Sequence, residues 1–246
     1  MKPFLFLATR TDDLVADGEY EAMLRFSGLD EASLHRVRME QAPIGHVDLD
    51  RYAGTILGGG PFNASDTVKS AVQERVEAEI SDLLDVIVPR DLPFLGACYG
   101  IGTLGTHEGA VVDRFHSEPV GAMAITLTDA GRADPLLAGL PDTFDAFLGH
   151  QEAIRELPPH AVNLASSATC PVQAFRVGRN VYATQFHPEL DVPGIHARID
   201  VYKHAGYFAP DEADDIKARC AEATIVHPPT ILRTFVERFS QVSRSR

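Results

Sequence analysis

The sequence predicts an α/β protein whose central sheet is mostly parallel and covered by helices on both faces. Short apolar runs bounded by turn residues alternate with amphipathic segments, which is the pattern of consecutive strand–helix–strand units. The length of 246 residues favours one large domain, and a hydrophobic content of 45% is ordinary for a chain with a substantial core. We therefore treat residues 1–246 as a single domain.

The apolar runs are the predicted strands, and the first begins at Phe4, near the N-terminus. Its apolar stretch is too short for a signal sequence, and Arg10, Asp12 and Asp13 follow at once, so we interpret it as a buried strand. One run alternates small or apolar residues with polar ones, as an exposed antiparallel strand does. In chain order the predicted strands are Phe4–Leu7, Thr55–Leu57, Pro93–Leu95, the alternating run Ala122–Thr128, Val172–Val177 and Val181–Phe186.

The clearest predicted helix runs from about Asp66 to Asp85, with Asn63 and Ser65 as candidate N-caps. Apolar residues recur every four positions along one of its faces, namely Val68, Val72, Val76, Ile80 and Leu84. Further helices are predicted just after Cys98, over 211–221 and over 230–239. We expect residues 192–229 to form a helical extension that offers a surface for a homodimer or a partner protein.

Charge and cysteine usage exclude several classes of function. The chain has 22 basic against 35 acidic residues, a net charge of −13, and no basic run, which argues against nucleic acid and anionic membranes as partners. The three cysteines, Cys98, Cys170 and Cys220, are odd in number and lack metal-type spacing. We therefore expect a cytoplasmic protein with neither a disulfide framework nor a metal centre.

The most informative motif is Gly96-Ala97-Cys98-Tyr99-Gly100, which directly follows an apolar run. A strand that ends in G-x-C-x-G and enters a helix is a nucleophile elbow, because the glycines permit the sharp turn that exposes one side chain. At a helix N-terminus the thiolate is favoured over the thiol. A single cysteine in an apolar stretch is more often an inert core residue, so the motif needs a partner.

That partner is the sequence Gln185-Phe186-His187-Pro188-Glu189, which closes another predicted strand. Alone it would be an ordinary turn, but with Cys98 it supplies the imidazole and carboxylate of a thiol acyl-transfer enzyme. Attack on an amide creates an oxyanion that needs preorganised N–H donors. Ile56-Leu57-Gly58-Gly59-Gly60-Pro61 offers them, and we assign the backbone N–H groups of Gly60 and Tyr99, with Gly59 beside them.

With Gly149-His150-Gln151-Glu152, these motifs resemble, in their order, the class I (triad-type) glutamine amidotransferases, and in particular the glutaminase portion of GMP synthase. The resemblance spans about residues 4–190. It implies a flavodoxin-like three-layer fold with the active site at the carboxyl ends of the strands. It also implies that Cys98 forms a γ-glutamyl thioester with glutamine, that His187 acts as base and then acid, and that Glu189 orients His187. No metal or organic cofactor is implied.

Two positions depart from the family pattern. Where the family has a glutamine after the elbow, this chain has Gly102, and where it has Ser or Asn before the middle histidine, this chain has Gly149. The two side chains that bind the substrate in the family are therefore absent here. We assign the substrate-binding wall to the positions Gly102, Gly149, His150 and Gln151. The alternative for His150 is a loop histidine held by backbone. We expect Tyr202, Tyr207 and Phe208 to pin the extension to the domain rather than to form a lid.

Three functions follow as hypotheses. The first is an amidotransferase subunit that passes ammonia from glutamine to a separate synthetase, because the chain has no ATP-pyrophosphatase or Walker A motif. The second is a γ-glutamyl hydrolase or peptidase that acts on another γ-glutamyl compound admitted by Gly102 and Gly149. The third is a non-catalytic regulatory or binding subunit, which has no chemical reason to keep Cys98, His187 and Glu189 together.

Overall fold

A computed structural model describes residues 2–240 and confirms an α/β fold built on one large sheet. The strands are β1 (Phe4–Ala8), β2 (Leu34–Arg38), β3 (Thr55–Leu57), β4 (Phe94–Ala97), β5 (Val111–Asp113), β6 (Glu118–Leu127), β7 (Thr143–His150), β8 (Ala153–Glu156), β9 (Val162–Ser166), β10 (Ala174–Val177) and β11 (Val181–Thr184). The helices are α1 (Asp13–Ser27), α2 (Ala71–Ile87), α3 (Tyr99–His107), α4 (Asp129–Ala133), α5 (Val192–Tyr202), α6 (Ala213–Glu222) and α7 (Pro228–Ser240).

The main sheet has a parallel region and an antiparallel region. Its order is β2-β1-β3-β4-β11-β10-β9-β6-β7, in which β2 to β11 run parallel and the remaining strands pair antiparallel. The predicted antiparallel character of the strand at Ala122 is therefore correct. A second, two-stranded sheet pairs β5 with β8. The parallel region carries β4 and β11 side by side, which brings the two main motifs to one edge.

Helices cover both faces of this sheet because the strand side chains alternate. In β1, Phe4 and Phe6 belong to one buried cluster, which includes Phe235 of α7. Leu5 and Leu7 belong to another, which contains the apolar face of α2. Successive side chains of a strand point to opposite faces, and both faces are buried here. The parallel strands are therefore apolar at nearly every position.

The N-terminus of α2 differs from the prediction. The helix begins at Ala71, and the hydroxyl of Ser70 accepts a hydrogen bond from the Gln73 N–H at 3.1 Å, so Asn63 and Ser65 are not its caps. Val68 is 88% exposed and Val72 is 39% exposed, so only the later members of the predicted apolar face are buried. The segment before Ser70 is a loop that passes over the edge of the sheet instead.

Several elements have no counterpart among the predictions, namely α1, β2, α4, β5, β7, β8 and β9, whereas α5 and α6 confirm that residues 192–229 contain helices. Helix α1 buries the charged Glu19 on its inner face, which conceals its periodicity. Helices α5 and α6 lie in the region 192–229 and pack through Ile195, Ile199 and Ile216 onto a third buried cluster that includes Phe147 of β7. Within residues 2–240, every helix is too short or too polar to traverse a lipid bilayer.

Candidate active site

Cys98 occupies a strained turn between β4 and α3. Its φ of 52° is unusual for a residue with a side chain, and its own N–H donates to the Thr184 carbonyl of β11 at 2.8 Å. The turn depends on its glycines, since a Cβ on Gly96 would lie 2.9 Å from the Gly100 Cα. Strain held by a hydrogen bond and a close backbone contact is a feature of functional positions.

His187 and Glu189 follow β11, next to the elbow. His187 Nδ1 lies 2.8 Å from Glu189 Oε1, and the His187 N–H donates to the Phe147 carbonyl at 3.0 Å. Both residues are buried, and Glu189 has no exposed surface. In the described residues His187 Nε2 has no hydrogen-bond partner, so it is free to exchange a proton with a ligand. The carboxylate therefore fixes the ring with one nitrogen held and the other available.

A buried chain of charges continues from Glu189. Arg198 of α5 donates through Nη2 to Glu189 Oε1 at 2.8 Å and to Glu19 Oε1 of α1 at 3.2 Å. Arg10, just after β1, donates through Nε to the same oxygen of Glu19 at 2.8 Å. Two guanidinium groups and two carboxylates thus alternate behind the imidazole, and the helix that follows Glu189 supplies one of them.

Burial dominates the acid–base properties of these groups. It raises the pKa of the Cys98 thiol to about 11, although Arg10 and Arg198 oppose that shift. Burial also lowers the pKa of His187 below its usual value, and Arg198 and Arg10 add to this effect. Burial raises the pKa of Glu189, but contacts with His187 and Arg198 outweigh it and keep the carboxylate ionised. Both shifts favour a thiol and a neutral imidazole near pH 7, which is opposite to the thiolate expected from the helix N-terminus.

Cys98 and His187 line the same cavity, which has a volume of about 330 Å³. Gly60, Gly149, Gln151, Arg10 and Arg198 share its wall, and Asn63, Asp66 and Arg114 lie on its lining too. Tyr202, Tyr207 and Phe208 of the extension also line it. A cavity of this size suits a small-molecule ligand.

The predicted oxyanion donors lie around the elbow. Gly60 borders the cavity, and in the described chain the N–H groups of Gly60 and Tyr99 have no hydrogen-bond acceptor. The Gly59 carbonyl accepts from the Thr9 hydroxyl at 3.0 Å, which fixes the loop. A Cβ on Gly59 would lie 2.5 Å from Arg10 Nη2 and 2.6 Å from His187 Cε1. Glycine is required there because two functional side chains converge on it.

The four predicted wall positions behave differently. Gly149 and Gln151 line the cavity, but Gly102 and His150 do not. A Cβ on Gly102 would lie 2.5 Å from Glu152 Oε1, and that carboxylate accepts from the N–H groups of Ala64 and Ser65 at 2.8 and 2.7 Å. The space that Gly102 leaves is therefore filled by Glu152 and is not open to a larger substrate.

His150 is neither a loop histidine nor a cavity residue. Its Nδ1 contacts the Glu152 carbonyl at 2.8 Å and its Nε2 contacts Glu118 at 2.9 Å, and the side chain is 2% exposed. Glu118 also accepts from Ser167, Thr169 and Gln173. With both ring nitrogens occupied inside the protein, the predicted substrate contact by His150 has no geometric support.

Among the residues that the structure describes, two groups of side chains have ligand atoms within 4.8 Å of one another, as a metal site requires: Glu118, His150 and Cys170, and Glu19, His187 and Glu189. In the first, Glu118 already accepts hydrogen bonds from four side chains, at both of its oxygens. In the second, Arg10 and Arg198 already neutralise the carboxylates and would repel a cation. The first group is therefore hydrogen-bonded internally, and the second is charge-balanced, although in the described chain Glu19 Oε2 and Glu189 Oε2 have no hydrogen-bond partner.

The sequence analysis did not identify three charged residues of the site, Arg10, Glu19 and Arg198. Arg10 directly follows a parallel strand, and in α/β sheets ligands bind outside the carboxyl ends of such strands, so its position was a usable signal. Arg198 lies between Ile195 and Ile199 on the buried face of α5, where an unpaired arginine is rare. Glu19 gave no signal, because nothing in α1 sets it apart from the other acidic residues.

The sequence of this chain is similar to a protein family and to several known proteins. The sequence model described as Glutamine amidotransferase class-I matches residues 27–194. A GMP synthase (glutamine-hydrolyzing) subunit of Thermoplasma volcanium is 31% identical over 144 residues, which are 58% of this chain and 65% of that protein. The corresponding subunit of Methanoregula boonei is 32% identical over 57% of this chain and 67% of its own length. The chain spans only 24% of the GMP synthase of Thermosipho africanus, to which it is 30% identical.

Solved structures agree on the fold. A glutamine amidotransferase from Thermotoga maritima superposes with a TM-score of 0.78 at 20% identity, covering 98% of this chain and 99% of that one. A glutamine amidotransferase from Methylobacillus flagellatus gives a TM-score of 0.70 at 18% identity, covering 98% and 95%. These likenesses extend beyond the region that the sequence model matches and include α5 to α7.

Proposed function

Because this chain belongs to the class-I glutamine amidotransferase family, we propose that it is a thiol hydrolase that releases ammonia from glutamine through a γ-glutamyl thioester on Cys98. One observation carries the proposal. A strained cysteine at a strand–helix turn shares a cavity with a histidine whose Nδ1 is held by Glu189 and whose Nε2 is free. This is the arrangement that nucleophilic catalysis by a thiol requires.

The first step starts from the neutral thiol. Cys98 Sγ attacks the γ-carboxamide carbon while its proton passes to His187 Nε2, and the carbonyl π electrons move onto the oxygen. The lowered pKa of His187 keeps it neutral and able to accept that proton near pH 7. The Gly60 and Tyr99 N–H groups stabilise the oxyanion, and Glu189 stabilises the imidazolium that forms.

The intermediate then collapses. The carbon–nitrogen bond breaks, His187 returns its proton to the nitrogen, and ammonia leaves a thioester on Cys98. Water, deprotonated by His187, attacks the thioester, and cleavage of the carbon–sulfur bond releases glutamate and restores the thiol. Since the related proteins are named as subunits of GMP synthase, we propose that the ammonia passes to a separate synthetase.

A γ-glutamyl hydrolase acting on a different amide remains a second candidate. It is favoured by Gly149, which lines the cavity without a side chain at the position where the family has Ser or Asn. The non-catalytic alternative is tested by the same experiment, since a binding protein would be indifferent to changes at Cys98.

The test is glutamate release from L-glutamine by the wild type, by Cys98→Ala and by the matched control Cys170→Ala. We expect release by the wild type and by Cys170→Ala, and its loss in Cys98→Ala. Since a partner-dependent enzyme can be slow alone, covalent labelling of Cys98 by 6-diazo-5-oxo-L-norleucine, read by mass spectrometry, is measured in parallel. A wild type that neither releases glutamate nor becomes labelled contradicts the proposal, and so does release that survives in Cys98→Ala.

A further inference from the structure

Arg10 has an unusual environment for a cation. The residue is 4% exposed, yet it lines the cavity that contains Cys98 and His187. Its Nε is held by Glu19 Oε1 at 2.8 Å, and in the described part of the chain its two Nη groups have no acceptor. A guanidinium group with its stem fixed and its outer N–H groups open to a cavity is a preorganised donor.

The position of Arg10 places these donors beside the reacting groups. A Cβ on Gly59 would approach Arg10 Nη2 to 2.5 Å and His187 Cε1 to 2.6 Å, so the two side chains, which both line the cavity, converge beside Gly59. The remaining arginines of the cavity differ from Arg10. Arg198 donates to two carboxylates through Nη2, while its Nη1 is buried without a partner among the described residues and has no exposed surface for a ligand. Arg114 donates to Asp66 at 2.8 Å.

A ligand that covers N–H donors without accepting their hydrogen bonds loses binding energy, so a ligand that supplies the acceptor binds more tightly. A carboxylate matches the planar pair of Nη groups and forms charge-assisted hydrogen bonds with them. This chain also lacks the side chains with which its family grips glutamine at Gly102 and Gly149, and Glu152 fills the space at Gly102. The binding energy must come from another part of the wall.

We propose that Arg10 binds a carboxylate group of the γ-glutamyl substrate through its two Nη groups. This inference rests on the proposed function for the identity of the substrate. Two carboxylates have the right chemistry: the α-carboxylate of the glutamyl moiety, and a carboxylate on the amine that leaves. The first would make Arg10 a grip for glutamine itself, and the second would make the substrate a γ-glutamyl amino acid or peptide.

The experiment measures binding, so that it does not depend on turnover. Titration calorimetry on the full-length Cys98→Ala protein compares two matched ligand pairs that differ only in one charge. The first pair is L-glutamine and L-glutaminamide, which lacks the α-carboxylate. The second pair is γ-glutamylglycine and γ-glutamylglycinamide, which lacks the carboxylate on the leaving amine. We expect the carboxylate to bind about 10- to 100-fold more tightly than its amide in one of the two pairs.

Adding Arg10→Gln should reduce that ratio to about threefold or less, because a neutral amide cannot replace the guanidinium. Arg114→Gln is the matched control: it removes a positive charge from the same cavity, and the ratio should stay. Arg10→Lys keeps the charge and its attraction to Glu19 but loses the planar donor pair, so it should give an intermediate ratio even if Arg10→Gln folds poorly. A preference in the first pair identifies the α-carboxylate, and one in the second pair identifies the leaving group.

Three results would overturn the proposal: no preference in either pair, a preference that survives in Arg10→Gln, or an equal loss in Arg114→Gln. None of them depends on glutamate release by the wild type. Failure of the carboxylate site and failure of the proposed thiol chemistry are therefore separate outcomes.

Discussion

Residues 2–240 contain two clusters of cysteine, histidine and glutamate, and only one of them lines the cavity described above. Cys98, His187 and Glu189 form the cavity cluster, whereas Cys170, His150 and Glu118 form what we call the internal cluster. Their histidine–carboxylate distances are nearly equal, at 2.8 and 2.9 Å. The same three residue types, with the same histidine–carboxylate pairing, thus occur twice in the described residues, but only Cys170 has its sulfur within 4.8 Å of both partners.

The clusters differ in which of their polar atoms lack a hydrogen-bond partner. In the internal cluster both ring nitrogens of His150 contact oxygen atoms, and Glu118 accepts from three further side chains. In the cavity cluster His187 Nε2 is free, and Cys98 is partly exposed on a strained turn while Cys170 is 1% exposed. Reactive chemistry requires groups held in place but not saturated, so residue types alone do not identify an active site.

The largest effect that separates the clusters should come from exchanging each histidine for glutamine. His187→Gln removes the base and acid of the proposed mechanism and should lower glutamate release by about 10²–10⁴-fold. His150→Gln should change the rate less than about tenfold but reduce the free energy of unfolding by about 1–3 kcal/mol, because Glu118 loses a buried donor. Initial rates and urea unfolding of both variants check this. A rate loss in His150→Gln as large as that in His187→Gln would remove the distinction.

The sequence predicts a cluster only where the residues that form it lie close together along the chain. The elbow at Cys98 and the His187-Pro188-Glu189 turn lie at strand ends, where glycines and proline encode the geometry within a few residues, so they were predictable. The internal cluster joins Glu118, His150 and Cys170 across three segments of the antiparallel region. No local pattern specifies that meeting, and His150 was consequently assigned to the substrate wall.

The same reasoning applies to the fold. The parallel strands β1, β3, β4 and β11 were predicted because burial on both faces makes them continuously apolar. Strands β7 and β9 were missed, because they carry mixed exposed and buried positions that resemble loops. Arg198 and Glu19 meet although they are 179 residues apart in the chain, and only the packing of α5 against α1 brings them together.

A smaller effect should follow from removing the charge behind the cavity cluster. Arg198→Met takes a cation away from Glu189 and Glu19, so the imidazole is held less firmly and the rate should fall about 10- to 100-fold. Arg198 also lowers the pKa values of His187 and Cys98. In the variant both should rise, so the acid limb of the rate profile moves to higher pH and alkylation of Cys98 by iodoacetamide slows at a given pH.

The matched control for this variant is Arg176→Met. Arg176 donates to the buried carboxylate of Asp134 at 2.8 Å, outside the cavity lining, so its loss also breaks an ion pair with a buried acid. Both variants should be less stable, but only Arg198→Met should move the acid limb. An equal shift in both would mean that Arg198 acts through stability alone and not as a positioning residue.

The smallest expected effect is a change in the free energy of unfolding at acid pH, caused by Glu118 of the internal cluster. Burial raises the pKa of Glu118, but hydrogen bonds from His150, Ser167 and Thr169 outweigh it and lower the pKa to about 2. A carboxylate with a depressed folded-state pKa stabilises the native protein above its ordinary pKa of 4.5, and this contribution is lost as the pH falls towards about 2.

Glu118→Gln removes that titrating group while keeping its size. Its deficit in the free energy of unfolding relative to the wild type should be about 1–3 kcal/mol at pH 7 and should shrink between about pH 4.5 and the acid limit of folding. Urea unfolding at pH 7, 5 and 4 measures it, and the rate of glutamate release should change less than about tenfold. A deficit that does not shrink with falling pH would show that Glu118 acts in the internal cluster by packing, not by its charge.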